Sequence, residues 1–118
     1  PTYARIPMRT PLLAKLFPFL YSLLGDPVYN ARIRVHDAMK ELCTRESTAT
    51  YHRSMHNYFA EEADAIDPHQ DWNRFAELKN SWQDEWNELM VADRRVATAR
   101  AKWEARRKQL TQLENAPS

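Results

Sequence analysis

Residues 86–113 read WNELMVADRRVATARAKWEARRKQLTQL. Leu89, Ala92, Val96, Ala99 and Trp103 recur at three- and four-residue intervals, and Leu110 and Leu113 extend the same stripe. That spacing puts apolar side chains on one face of an α-helix and leaves the arginines between them to water. Ser81, followed three residues later by Asp84, has the form of a capping box, so the expected helix runs over 82–113. At 1.5 Å per residue it would be roughly 48 Å long, longer than its neighbours, and its C-terminal part is expected to project beyond the bundle.

Working toward the N-terminus, Asp26-Pro27 supplies an N-cap and a first-turn proline. Val28, Ala31, Val35, Ala38 or Met39, and Leu42 then predict a helix over about 27–43. Ser47 or Thr48 is the expected cap of a further helix, striped by Tyr51, Met55, Phe59, Ala63 and Ile66 and stopped by Asp67-Pro68. Asp67 is the expected cap of a short helical piece holding Trp72, Phe75, Ala76 and Leu78. Composition agrees with a helical chain, since fifteen Ala stand against four Val and three Ile, with no Asn-Gly or Asp-Gly pair to close a hairpin. The expected fold is all-α. It is a three-helix bundle over 26–114 with a long C-terminal helix, an N-terminal arm over 1–25 and a frayed tail over 115–118.

The arm has its own character. Residues 1–24 hold no acidic side chain but carry Arg5, Arg9 and Lys15. The apolar run 11–24 is broken by Lys15 and Pro18 and falls short of the roughly 20 apolar residues that span a bilayer. It is expected to lie along a partner protein or a membrane surface through Leu12, Leu16, Phe17, Phe19 and Leu20. An acid-free, Arg-bearing start also has mitochondrial targeting composition.

The 118 residues sum to a net charge of +1, which hides a strong segregation. Residues 1–60 carry eight basic and four acidic side chains, 61–93 two and ten, and 94–108 seven and one. Opposed blocks of this kind pair within a molecule or present two faces to different partners.

Little in the sequence points to chemistry. With Gly25 as the one glycine, phosphate-cradling loops that need several are excluded. A single cysteine, Cys43, rules out an internal disulfide and a Cys-rich zinc site, and it is expected to be a small buried residue at a helix end. His52 and His56 share a helix face, yet Arg53 stands where a zinc helix carries Glu and no third ligand is nominated, so they are expected to face solvent or a partner. Glu61, Glu62, Asp64, Asp67 and Asp71 are expected to be solvated. Lying near a helix C-terminus, they oppose its dipole and call for a basic partner. In the basic stretch Trp103 is the only aromatic, which disfavours nucleic acid, and Arg100, Arg106 and Arg107 are expected to make salt-bridged protein contacts. Of four tryptophans, Trp86 and Trp103 are expected in the core, Trp72 and Trp82 at an interface. No catalytic residue, metal site or cofactor is expected.

Four landmarks carry a family resemblance: Thr50-Tyr51-His52-Arg53, the acidic turn from Asp67 to Trp72, Asp84-Glu85-Trp86-Asn87-Glu88-Leu89, and Lys102-Trp103-Glu104. In order and spacing they resemble the alpha-subcomplex subunit 5 family, accessory subunits on the peripheral arm of mitochondrial respiratory complex I (NADH:ubiquinone oxidoreductase). The likeness covers about 28–104, with Asn80-Ser81 standing where the family has a Gly-Gln pair. It implies a structural, non-catalytic subunit without flavin, cluster or quinone, on the matrix side of the inner membrane and peripheral to it. The expected partners are protein subunits of that complex. An accessory subunit of ATP synthase or of the cytochrome bc1 complex, or a mitochondrial ribosomal, nucleic-acid-associated protein, are the alternatives.

Overall fold

The computed structural model describes residues 25–117. The proposed arm, including Leu12, Leu16, Phe17, Phe19 and Leu20, lies outside the described residues. Within them are two helices, α1 (Pro27–Asp64) and α2 (Trp72–Glu114), joined by a turn over 65–71. The all-α expectation holds for these residues. The third helix does not appear among them, because the two expected breaks do not exist.

Both breaks were inferred from polar residues that turn out to be helix interior. Between Val28 and Asp67 there is no glycine or proline, and the seam spacing passes from Leu42 through Arg45 to Ala49 without a change of phase. Thr48 caps nothing; its hydroxyl donates to the Thr44 carbonyl at 3.1 Å, one turn back. Ser81 is likewise interior to α2, where Leu78, Trp82, Glu85 and Leu89 keep the three-four rhythm. Wherever such a stripe continues in phase, a continuous helix buries it and a break would expose one side.

The true ends are capped by aspartates. Asp26 Oδ1 accepts the backbone N–H of Val28 at 2.9 Å and of Tyr29 at 3.4 Å, as the sequence led us to expect. Just before it, Gly25 has φ +81°, and a Cβ there would stand 2.6 Å from Asn30 Nδ2, so the lone glycine sits where a side chain would collide. Asp71, rather than Asp67, caps α2, accepting the Arg74 N–H at 3.1 Å. Asp67 instead holds the turn: its Oδ1 accepts the His69 N–H at 2.9 Å and its carbonyl the N–H groups of Gln70 and Asp71 at 3.0 Å. Replacing Asp26 with alanine is expected to cost about 1 kcal/mol, read as a lowered urea midpoint by circular dichroism; an unchanged midpoint would contradict the assigned cap.

The described residues form two compact units. One comprises residues 25–40 with 100–117; it brings the start of α1 beside the end of α2, where Arg32 Nη2 meets Glu114 Oε2 at 3.0 Å. Thus residues 100–114 have a companion helix and do not project alone. The other unit, Glu41–Ala99, is a helical hairpin whose pairings descend in antiparallel order, Ala49 with Leu89 and Ala92, His52 with Glu85, and His56 with Trp82. Leu89, Ala49 and Ala92 form its core cluster, with Met90 and Val96 against it.

Among the described residues the buried apolar side chains are mainly small: six of the nine are alanine (Ala31, Ala38, Ala49, Ala63, Ala92, Ala99) and three are leucine (Leu42, Leu78, Leu89). Alanine lets helices approach closely but removes little apolar area per residue, so large apolar side chains are left outside.

Candidate interaction surface

The hairpin unit carries an unusual middle to its seam. His52 and His56 lie on the seam between α1 and α2, which corrects the expectation that they are solvated or face a partner. His52 Nδ1 lies 2.6 Å from Glu85 Oε2, and both side chains are 19% exposed. One turn on, the His56 ring packs against Trp82, with centroids 5.0 Å apart, and Trp86, 5.2 Å apart. Its Nε2 is buried without a hydrogen-bond partner. Beside this layer Arg53 Nη2 donates to Asp93 Oδ1 at 3.2 Å. The pattern that misleads is Tyr51-Met55-Phe59, which is also helical in spacing. Tyr51 is exposed, whereas the seam passes through His52, His56 and Phe59, one position away in phase.

Along the flank of α2 runs an aromatic strip: Trp72, Phe75, Lys79, Trp82 and Trp86, at helical spacing on one side. Trp72 is 64% exposed and stacks obliquely on Phe75 at 5.9 Å; Trp86 is 41% exposed. Lys79 Nζ lies 4.7 Å from the Trp82 ring centroid, a cation–π contact. The two central tryptophans therefore exchange their expected places. Trp82 sits on the seam, half-buried against His56, while Trp86 stands on the flank. Glu61, Glu62 and Asp64 end α1, and no ion pair joins them to a basic side chain among the described residues. With no basic residue in the last turn, the negative end of the α1 dipole is reinforced rather than offset.

The other unit is basic. Arg107 lies over the Trp103 ring at 4.7 Å, and Arg106, half-buried on the seam, donates to Gln109 at 3.4 Å. Arg100 is exposed. Of the expected interface residues among those described, then, Trp72 is largely uncovered, Trp82 and Arg106 are partly taken up within their own units, and Arg107 is exposed on its tryptophan. Cys43 is exposed, not buried, because it falls beside rather than on the Leu42 seam position.

Tyr29, Ile33 and Met39 on the basic unit, and Tyr51, Tyr58, Trp72, Trp86 and Val91 on the hairpin, are large apolar side chains left exposed. Among the described residues no group of three His, Cys, Asp or Glu side chains is placed to hold a metal ion, and no helix is long and apolar enough to cross a membrane. No family model matches the chain, and neither a curated protein nor a solved structure is significantly similar to it.

Proposed function

We propose that this chain is a non-catalytic accessory subunit, a helical module that completes its own packing against neighbouring proteins of a larger assembly. The observation that carries this reading is the inversion of side-chain size between inside and outside. Alanines fill the seams while Trp72, Trp86, Tyr29, Tyr51 and Tyr58 stand in solvent. Large amphipathic rings are the residues that dominate protein interfaces, and a flank of α2 on which Trp72 and Trp86 both stand uncovered is what a neighbour would cover.

The assembly we propose is mitochondrial respiratory complex I, with the chain peripheral to the inner membrane on its matrix side. Support for this finer statement comes from the four sequence landmarks. Three of them fall within the hairpin unit, where Arg53 pairs with Asp93, Asp71 caps α2 and Trp72 is uncovered at the turn. On native gels of gently solubilised mitochondria, the protein is expected to co-migrate with NADH dehydrogenase activity. Migration alone would overturn the subunit reading. Co-migration with ATP synthase, the cytochrome bc1 complex or ribosomal particles would overturn the assignment to complex I.

A further inference from the structure

One face of α1 in the basic unit is apolar, uncovered and close to the point where the chain enters the helix. Tyr29 is 61% and Ile33 41% exposed, and with the exposed Asp37 they stand one turn apart at i, i+4 and i+8. Ala31, on the seam, follows Tyr29 by two residues and so lies about 200° round the helix, which turns this face away from α2.

The entry to α1 leads onto the same face. Gly25 takes φ +81° and lies so close to Asn30 that a Cβ would stand 2.6 Å from its Nδ2. Asn30 is one turn before Ile33, so the backbone reaches α1 across the outer side of its first turn. Immediately before Gly25 comes Leu24, the end of the apolar run 11–24, which lies outside the described residues.

We propose that residues 11–24 fold back over Tyr29 and Ile33, so that the arm covers α1 of its own chain. Three arguments choose this occupant over a partner protein or a membrane. The first is continuity. No linker separates the run from Gly25, so its effective concentration at a face one to two turns away is on the order of millimolar, ahead of an occupant that must arrive by diffusion. The second is charge. Residues 1–24 carry Arg5, Arg9 and Lys15 and no acid, whereas the charges beside Ile33 are those of Asp26 and Asp37. Arg32, beside Tyr29, is held by Glu114, and no ion pair takes up Asp37 among the described residues. An anionic lipid surface meets these carboxylates with like charge, while a basic arm meets them with opposite charge. The third is reach. Even wound as tightly as a helix, residues 11–24 extend about 21 Å, against about 12 Å from Tyr29 to Asp37. The inference concerns the chain alone and is independent of the assembly it joins.

Thiol labelling of the isolated full chain tests this. Cys43→Ser removes the native exposed thiol, and Tyr29→Cys or, independently, Ile33→Cys places one under the proposed contact. Adding Leu16→Asp with Leu20→Asp puts carboxylates into the apolar run and is expected to speed labelling at either position about tenfold, with the helical circular dichroism unchanged. Adding Asp37→Lys instead sets like charge against the basic arm and is expected to speed it about threefold. Labelling at the same rate with the intact and the altered arm at both positions overturns the proposal. So does protection that arises only when vesicles of anionic lipid are added, or only inside the gently solubilised assembly; the last of these leaves the subunit reading standing. Protection in the isolated chain of a protein that migrates alone on native gels overturns the subunit reading and leaves the arm on α1.

Discussion

Leu89→Ala is expected to destabilise the hairpin unit by about 3 kcal/mol. Leu89 is 4% exposed and packs against Ala49 and Ala92, with Met90 and Val96 alongside. Truncation removes the one large side chain of that cluster. Its neighbours on the seam are alanines, already too short to close the void, so both the lost burial and the residual cavity are felt in full. Small domains hold only about 5–15 kcal/mol in total, and a core built mainly of alanine belongs at the low end of that range. The measurement is urea unfolding followed by circular dichroism at 222 nm, with an unchanged slope and a lowered midpoint. A loss below about 1 kcal/mol would show that Leu89 does not anchor the packing described.

His56→Leu is expected to act in the opposite direction, stabilising by about 1 kcal/mol. The ring occupies a seam position, and its Nε2 is buried with no partner, so the imidazole bears a desolvation cost of about 1–3 kcal/mol that nothing returns. Leucine forfeits the contacts with Trp82 and Trp86, worth about 0.5–1.5 kcal/mol, but fills a similar volume and leaves no polar atom behind. The neighbouring histidine sets the control. His52→Leu takes the partner from Glu85, whose carboxylate is 19% exposed and 2.6 Å from Nδ1, and is expected to destabilise by about 1–2 kcal/mol. Two histidines one turn apart on the same seam should thus give opposite signs in the same unfolding assay. Equal signs would mean that having or lacking a partner is not what distinguishes them.

How far the fold was legible follows from the same residues. The seam of α2 from Leu89 to Leu113 was readable because apolar side chains mark it at nearly every turn, and Asp26-Pro27 announced the start of α1 correctly. Legibility failed where polar residues occupy seam positions. Arg45, His52, His56 and Glu85 carry the stripe through the middle of the hairpin unit, and a stripe interrupted by charge looks like a helix boundary or a solvated face. The capping residues misled for a related reason. Ser47, Thr48 and Ser81 have the chemistry of N-caps, but that chemistry is equally satisfied in a helix interior, as the Thr48 hydroxyl bonded to the Thr44 carbonyl shows.

The exposed aromatic flank was half legible. Trp72 was expected outside the core and is uncovered, yet Trp82 and Trp86 exchange places. They differ by four positions, a step of about 40° beyond a full turn, and only the placement of the opposite helix decides which of the two meets His56 from the seam and which from the flank.

The sequence by itself therefore determined the helical class, the cap at Asp26, the α2 seam and the division of charge into opposed blocks, because each depends on local spacing or on counting. Only the tertiary structure decided that two helices run unbroken where shorter ones were expected, that His52 finds Glu85 while His56 finds no partner, and that large rings stand outside an alanine seam. Those outcomes depend on what the facing helix brings to each position, which is a property of residues far apart in the chain, 33 positions for His52 and Glu85.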